Sequence, residues 1–460
     1  MRRPLASVLA VAVLLGLVSP AAARAPWKRR IDALVAGRPV GVAIARGGRL
    51  VYGAKPRVRR VPASNQKLLT SMALLDSLGR GARLPTTARA RRVRDGVVRG
   101  NLWVTGRGDP VLGGTPRFAR SSPLRPTWVG RLARRIRRAG VRRIRGAVVG
   151  STRYFRHDWS APGWRPEFPR LYVALPTALT FEGNVHRGRP ITDPERRVAR
   201  ALTRRLRRLG VRVGRRPRAA PAPPGTRAIA RVRSAPLRRL LKAMNHVSSN
   251  FYAEVLGKRL AVAHRGPPGT IAGAARALEA WARRRGVSVA ARDASGLSFR
   301  NRVSPRGLVR LLGAARRARW GRALRLSLPA GGHGTLEGRL RRLRVRAKTG
   351  TLEGVSTLSG WVWQRARSSW AEFSIMSRGL SKARAAALED RIVRVLARAG
   401  RKRRPGLVAV LARRGLAQGA PGQGLSSSGS GGGSGASETG AVSRRGEEHT
   451  GHTNVSSSSI

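Results

Sequence analysis

The stretch from Pro62 to Thr70 carries a serine and a lysine three residues apart, Ser64 and Lys67. Apolar residues follow at helical spacing, so the segment predicts a helix that begins at or near Ser64. Residues three apart on a helix are neighbours, and the Lys67 amine can therefore reach the Ser64 hydroxyl. An amine that takes the proton of a serine makes that serine a nucleophile. The alternative is a serine that caps the helix and a lysine that faces solvent.

Two further stretches of small polar residues lie far along the chain. The first reads Ser-Ser-Asn from Ser248 to Asn250, between two predicted helices, and supplies a hydroxyl and a side-chain amide. The second reads Lys-Thr-Gly-Thr from Lys348 to Thr351, at the predicted end of a strand. It supplies a second amine, a hydroxyl and a glycine that lets a substrate lie close to the backbone. Each stretch alone is common in loops and turns. The evidence for a shared site is therefore the order in which the two stretches follow the Ser64 stretch.

Arginine dominates the composition. The chain of 460 residues holds 87 arginines and eight lysines, and its formal net charge is +75 at pH 7. A polyanion partner such as nucleic acid, anionic lipid or wall polymer is the functional interpretation. A solvated basic surface encoded by a GC-rich genome is the alternative. Because arginine keeps its proton, a lysine in this background indicates a position that needs an amine able to lose one.

The ends of the chain differ from its middle. An apolar run from Leu5 to Val18 follows two arginines and precedes small residues, which predicts a signal peptide with cleavage after Ala23 or Ala25. An uncleaved anchor is the alternative, although the run is short for a membrane span. The absence of cysteine excludes disulfides and thiol catalysis. We therefore expect an exported, soluble protein.

The middle of the chain predicts helices packed on an antiparallel sheet. Residues 40–52 predict a hairpin, and three more strands are predicted after residue 344. We expect this hairpin and the last strands to share one sheet, covered by helices. From about residue 83 the pattern changes to short strands and Arg-rich helices, and a Pro-rich segment at 217–224 predicts a boundary.

The three polar stretches, in the order S-x-x-K, S-x-N and K-T-G, resemble the motif set of the penicillin-binding proteins and serine β-lactamases. Further stretches make the resemblance specific to low-molecular-mass penicillin-binding proteins of the D-alanyl-D-alanine carboxypeptidase/endopeptidase family (peptidase family S13, DacB-like). The resemblance covers nearly all of residues 26–412. The additional stretches are Asn101 to Pro110, Leu175 to Leu179, Asp293 to Ser298 and Leu328 to Leu336.

The resemblance implies a fold of the α+β / α/β class. Its main part is a β-lactamase/transpeptidase-like domain, an antiparallel sheet flanked by helices, and a smaller α/β domain is inserted into it. We expect a signal peptide at 1–25, a discontinuous serine peptidase domain at 26–82 and 226–415, inserted domains at 83–225, and a disordered Gly/Ser-rich tail at 416–460.

The resemblance also assigns catalytic roles. Ser64 would be the nucleophile and Lys67 the base that takes its proton. Lys348 would be the cation that helps to keep Lys67 neutral. Ser248 and Asn250 would relay a proton and hold the amide of the substrate.

The strand that carries Lys348 would bind the substrate. Thr349 would hold its terminal carboxylate, Gly350 would allow close approach, and the backbone N–H groups of Ser64 and Thr351 would form the oxyanion hole. The implied reaction cuts D-Ala-D-Ala stem peptides or cross-links of peptidoglycan through an acyl-enzyme. β-Lactams would acylate the same serine, and no metal or cofactor is implied. The expected location is the periplasm or the extracellular cell-wall zone.

Other functions remain open at this point. A class A β-lactamase adds a glutamate that activates water, and Glu167 and Glu182 are the candidates. A non-catalytic scaffold that binds the cell wall belongs to a different class, and the complete motif set does not favour it. Specific nucleic-acid binding rests on charge alone, because no zinc-ligand spacing or RNA-binding aromatic motif accompanies it. Electrostatic contact with anionic wall or membrane polymers is the partner that we expect from the arginines.

Overall fold

The computed structural model describes residues 25–400. The expected signal peptide up to residue 24, the end of the expected peptidase domain and the Gly/Ser-rich tail lie outside the described residues. In the described part of the chain, no helix combines the length and the apolar character that a membrane span requires.

The helices and strands have the following bounds. The α-helices are α1 (Pro26–Val35), α2 (Gln66–Leu78), α3 (Pro116–Ser121), α4 (Val129–Arg138), α5 (Phe168–Leu171), α6 (Pro194–Arg208), α7 (Leu237–His246), α8 (Asn250–Arg265), α9 (Ile271–Arg283), α10 (Pro305–Arg317), α11 (Gly321–Ser327) and α12 (Lys382–Arg398). The β-strands are β1 (Val40–Arg46), β2 (Arg49–Ala54), β3 (Pro85–Ala90), β4 (Val93–Arg94), β5 (Val97–Val98), β6 (Leu102–Thr105), β7 (Leu112–Gly113), β8 (Thr127–Trp128), β9 (Arg143–Ile144), β10 (Val148–Ser151), β11 (Val185–His186), β12 (Arg189–Pro190), β13 (Arg212–Val213), β14 (Arg218–Ala220), β15 (Arg227–Arg233), β16 (Val345–Leu352), β17 (Val355–Gln364) and β18 (Ser369–Arg378).

The first sheet joins the beginning and the end of the described chain. Its strand order is β16-β17-β18-β1-β2, and all neighbouring strands are antiparallel. The predicted hairpin and the last three strands therefore share one sheet, as expected. Successive side chains of β1 point to opposite faces, so Ile44 packs with α1 and α12 while Ala43 packs against Val309 of α10. Helices on both faces explain why every residue from Val40 to Ala45 is buried.

A second hydrophobic core surrounds α2. Every residue of α2 from Gln66 to Leu75 is buried, and Leu68 and Met72 belong to a core shared with α7, α8 and α9. Burial of each such large apolar side chain stabilises the fold by roughly 2 kcal/mol. The polar side chains of α2 are consequently carried into the interior of the protein.

A second sheet comes from the middle of the chain. Its order is β14-β10-β6-β3-β15, and α4 and α6 pack on it through a separate core. The apolar residues of α4, Val129, Leu132, Ala133 and Ile136, follow the spacing of one helix face. The structure thus confirms the mixed α and β class. The expected helix-flanked antiparallel sheet is the first sheet.

The second sheet extends past the expected boundary near residue 226. Strand β14 falls inside the Pro-rich segment that predicted a linker, and it pairs with β10. Strand β15, which we assigned to the peptidase domain, pairs with β3 in the second sheet. The second sheet therefore extends to Arg233, because strand pairing between distant segments overrides a local Pro-rich signal.

Candidate active site

Ser64 lies in the 3-10 turn Ala63–Asn65, directly before α2. The α-helix begins at Gln66, near Ser64 as predicted, and no side-chain hydrogen bond of Ser64 caps it. The Ser64 hydroxyl instead accepts a hydrogen bond from Nζ of Lys67 at 3.0 Å. Ser64 is half-buried and Lys67 is fully buried, so the lysine does not face solvent.

The amine of Lys67 is surrounded by three oxygen atoms. Besides Ser64, it donates to Oδ1 of Asn250 at 2.7 Å and to the backbone carbonyl of Ser295 at 2.7 Å. Burial lowers the pKa of Lys67 to about 7, against the opposing effect of Asp293 and Glu254. Near neutral pH a large fraction of this amine is therefore neutral, as a base must be.

A second buried amine, Lys348, lies in the same region. Its Nζ donates to Oγ of Ser248 at 2.8 Å and to the backbone carbonyl of Thr349 at 2.8 Å. Burial lowers the pKa of Lys348 well below its ordinary value, and repulsion from Lys67 lowers it further. Burial is thus the first cause of the lowered pKa of both amines, and repulsion from the neighbouring lysine contributes only at Lys348.

The Ser248 stretch connects the two amines. It joins α7 to α8, with Ser248 in the left-handed region at φ +54°. Ser249 caps α8 by accepting a hydrogen bond from the backbone N–H of Tyr252 at 3.2 Å. Asn250 binds Lys67 through its oxygen, and its Nδ2 donates to the carbonyl of Tyr172 at 3.1 Å. All three polar stretches thus meet at one site.

The Lys348 stretch lies inside β16, which continues to Leu352, and not at the end of a strand as we expected. Thr349 and Thr351 are half-buried, whereas Lys348 and Gly350 are buried. A Cβ atom added at Gly350 would lie 2.8 Å from the backbone nitrogen of Ser64 and 2.4 Å from Oγ1 of Thr357. Only glycine therefore allows β16 to lie this close to Ser64.

Two parts of the site were not predicted from the sequence. The segment Asp293 to Ser298 supplies the Ser295 carbonyl to Lys67, although we had noted this segment only for its resemblance. The Tyr172 carbonyl was missed as well. Asp293 holds the segment in shape through four hydrogen bonds, which it accepts from Nε1 of Trp164, the backbone N–H groups of Gly296 and Ser298, and Nδ2 of Asn301.

The two glutamates that were candidates for activating water lie elsewhere. Glu167 is exposed, and Glu182 accepts a hydrogen bond from the backbone N–H of Gly114 at 3.1 Å. Within residues 25–400, neither carboxylate makes a hydrogen bond to Ser64 or Lys67.

Comparison with known sequences gives a consistent result. The profile of the D-Ala-D-Ala carboxypeptidase 3 (S13) family matches residues 32–189 and 184–399. A carboxypeptidase of Mycobacterium tuberculosis is 33% identical over 330 residues, which is 66% of this chain and 68% of that protein. Carboxypeptidase DacB of Mycolicibacterium smegmatis is 32% identical over 67% of this chain and 69% of its own.

Comparison with solved structures supports the fold. Penicillin-binding protein 4 (dacB) from Haemophilus influenzae superimposes with a TM-score of 0.68 at 21% identity, covering 80% of this chain and 99% of that one. The same protein in complex with a β-lactam gives a TM-score of 0.60 at 22% identity, with the same coverage.

Proposed function

The chain belongs to the D-Ala-D-Ala carboxypeptidase 3 (S13) family and is a carboxypeptidase, and from this premise we propose that it hydrolyses peptidoglycan stem peptides through an acyl-enzyme on Ser64. The observation that carries the proposal is the 3.0 Å contact between Nζ of Lys67 and Oγ of Ser64 in a buried site. A serine and a neutral amine at this distance are a nucleophile and its base.

The neighbours of Lys67 orient its lone pair. A neutral amine has two N–H groups and one lone pair, and the two oxygens at 2.7 Å, from Asn250 and Ser295, take the N–H groups. The remaining position faces the Ser64 hydroxyl. Lys67 would thus accept the proton of Ser64 as its oxygen attacks the carbonyl of the penultimate D-alanine. The bond to the terminal D-alanine then breaks, and water later hydrolyses the ester.

Lys348 and Ser248 would serve the leaving group and the substrate carboxylate. The 2.8 Å bond between them provides a path by which a proton can reach the departing amine. A carboxylate bound at Thr349 would raise the pKa of Lys348 by attraction and favour its charged form. Thr349 is half-buried in β16, which suits a group that a substrate must reach.

The oxyanion hole would consist of the backbone N–H groups of Ser64 and Thr351. Gly350 supports this role, because it brings β16 against the backbone nitrogen of Ser64. Each preorganised donor of an oxyanion hole typically lowers the activation barrier by about 3 kcal/mol.

The same acylation step supports two related reactions. Release of D-alanine is the carboxypeptidase reaction, and release of a second stem peptide is the endopeptidase reaction; we propose that the site performs both. β-Lactams imitate the same substrate end, and the Haemophilus influenzae relative is described with one bound. We further propose an exported protein whose first sheet and helical core, from residues 26–82 and from residue 234 onward, form the peptidase unit around an inserted second sheet.

Labelling with a fluorescent penicillin tests the acyl-enzyme. The mature protein is expected to give a covalent band, and Ser64→Ala is expected to give none. Ser77→Ala, an exposed serine of α2, is the matched control and should label like the unaltered protein. Absence of a band from the folded, unaltered protein would contradict the proposal and favour the non-catalytic wall-binding scaffold. Rapid loss of the band through turnover would favour the β-lactamase alternative.

A further inference from the structure

Glu254 is a fully buried carboxyl group that the mechanism above does not use. It lies on α8 one turn after Asn250, so both side chains share a face of that helix. Its Oε1 accepts hydrogen bonds from the backbone N–H of Ala294 at 3.1 Å and of Ser295 at 2.7 Å. Its Oε2 is buried and has no hydrogen-bond partner among the described residues.

The segment that Glu254 contacts is held between two helices. On one side, α2 donates hydrogen bonds to three consecutive backbone carbonyls of this segment; on the other side, Glu254 of α8 accepts from two consecutive N–H groups. A Cβ atom added at Gly257 of α8 would lie 2.4 Å from Cβ of Ala294, which shows how closely the helix and the segment pack. The three donors of α2 are Gln66 to Asp293, Thr70 to Ala294 and Lys67 to Ser295, at 3.1, 2.7 and 2.7 Å.

Charged groups of both signs surround Glu254; the negative one favours its neutral form and the two positive ones oppose it. They are Asp293 on the segment itself, Lys67 on α2 and Lys258 on α8. Burial, with a further contribution from Asp293, raises the pKa of Glu254 to about 8. Lys258 has its own counter-ion, because its Nζ lies 2.7 Å from Oδ1 of Asp158.

We propose that Glu254 is a positioning residue for the Lys67 base. By holding the N–H groups of Ala294 and Ser295 it fixes the Ser295 carbonyl, and this carbonyl holds the amine with its lone pair toward Ser64. The inference rests on the proposed function, since it takes Lys67 as the base. Asn250 and Glu254 then orient the same amine from one face of α8, the first directly and the second through the Ser295 carbonyl.

Two substitutions separate this role from a purely structural one. Glu254→Gln keeps the accepting oxygen and cannot ionise, whereas Glu254→Leu removes the acceptor at similar volume. We expect the Gln variant to be acylated by penicillin at a rate within about 3-fold of the unaltered protein, with the same pH midpoint. We expect the folded Leu variant to be acylated about 100-fold more slowly, because misplacing a catalytic group by about 1 Å has an effect of this size.

Glu279→Leu is the matched control. The Glu279 carboxylate also accepts from a backbone N–H close to this segment in the chain, that of Ala291 at 2.9 Å, but it does not reach the residues that bind Lys67. Its loss should reduce the melting temperature while leaving the acylation rate of the folded protein within about 3-fold of the original. If both Leu variants slow acylation equally, the segment as a whole is being loosened and the specific role of Glu254 is refuted.

The remaining outcomes also test the role of Glu254. A folded Glu254→Leu protein that is acylated at the original rate refutes the inference. A Gln variant whose pH midpoint falls by about one unit shows that Glu254 acts on Lys67 through its charge and not through its hydrogen bonds, and refutes the positioning role. If the Leu variant does not fold, Glu254→Asp replaces it: its shorter side chain should slow acylation about 10-fold, and an unchanged rate overturns the inference. Failure of the unaltered protein to be acylated refutes the proposed function instead, so the two failures are distinguishable.

Discussion

Nζ of Lys348 lies 2.8 Å from Oγ of Ser248, a contact that joins residues 100 positions apart in the chain. Two residues after Ser248, Asn250 makes the equivalent contact with Lys67 at 2.7 Å. The short connection between α7 and α8 therefore touches both buried amines, each through a different side chain. This arrangement places the amine of Lys67 beside Ser64 and the amine of Lys348 beside Thr349.

The rate of acylation by penicillin should rise with pH around a midpoint near 7. In the proposed mechanism the neutral form of Lys67 is the base. Its pKa is lowered to about 7, so its neutral fraction grows as the pH increases through that value. Below the midpoint we expect a fall of about 10-fold for each pH unit. Stopped-flow measurement between pH 5.5 and 8 tests this, with thermal melting at each pH as the control for folding. A rate independent of pH over this range would exclude Lys67 as the base.

Gly350→Ala should abolish acylation and destabilise the protein. The added Cβ would meet Oγ1 of Thr357 and the backbone nitrogen of Ser64, so β16 must move away from the nucleophile. We expect acylation to fall at least about 100-fold and the free energy of unfolding to fall by about 2 kcal/mol. Gly81→Ala is the control, since no atom lies within 4 Å of its added Cβ. Normal acylation of the Gly350 variant would show that β16 need not approach Ser64.

Asp293→Ala should reduce the free energy of unfolding by roughly 3 kcal/mol or more, because it leaves buried hydrogen-bond donors without an acceptor. Trp164 and the backbone N–H of Ser298 each donate to this carboxylate at 2.7 Å. Urea unfolding measures the change. Asp95→Ala is the matched control: its carboxylate pairs with Arg94 on the exposed surface, where the loss should stay below about 1 kcal/mol. Equal losses in the two variants would contradict the structural role of Asp293.

The arginines of α4 and α6 should bind anionic wall polymers. The two helices pack together on the second sheet with their apolar faces inward, and their outer faces expose a series of arginines. The only acidic residue within either helix, Glu195, is buried. Retention on purified anionic wall polymer should fall steeply as salt rises from 0.05 to about 0.5 M. The exposed arginines are Arg131, Arg134, Arg135 and Arg138 on α4, and Arg196, Arg200, Arg204, Arg205, Arg207 and Arg208 on α6.

Charge reversal localises that binding. Replacing Arg131, Arg134, Arg200 and Arg204 by glutamate should lower retention by about 10-fold or more, because each lost phosphate or carboxylate contact weakens binding. Acylation by penicillin should not change, since the second sheet lies outside the residues that contact Ser64 and Lys67. Retention that is insensitive to salt, or unaffected by the four substitutions, would argue that the basic surface is merely solvated.

Elements with local sequence patterns were predictable before the fold was known. The apolar spacing of α4, the hairpin of β1 and β2 and the three last strands were all predictable, because each pattern depends on neighbouring residues. The contact between Ser64 and Lys67 was predictable for the same reason, although the 3-10 turn that precedes α2 was not. Motif order and resemblance then identified Ser248, Asn250 and Lys348 as members of the same site.

The surroundings of these side chains depend on the three-dimensional fold. The Ser295 and Tyr172 carbonyls have no sequence signature, since every residue carries the same backbone group. Glu254 looks like an ordinary helix glutamate until the Ala294–Ser295 segment packs against it. The lowered pKa of Lys67 arises from burial, and burial depends on helices and strands that are distant in the chain. Spacing can bring a serine and a lysine together, but the fold determines that the lysine can lose its proton.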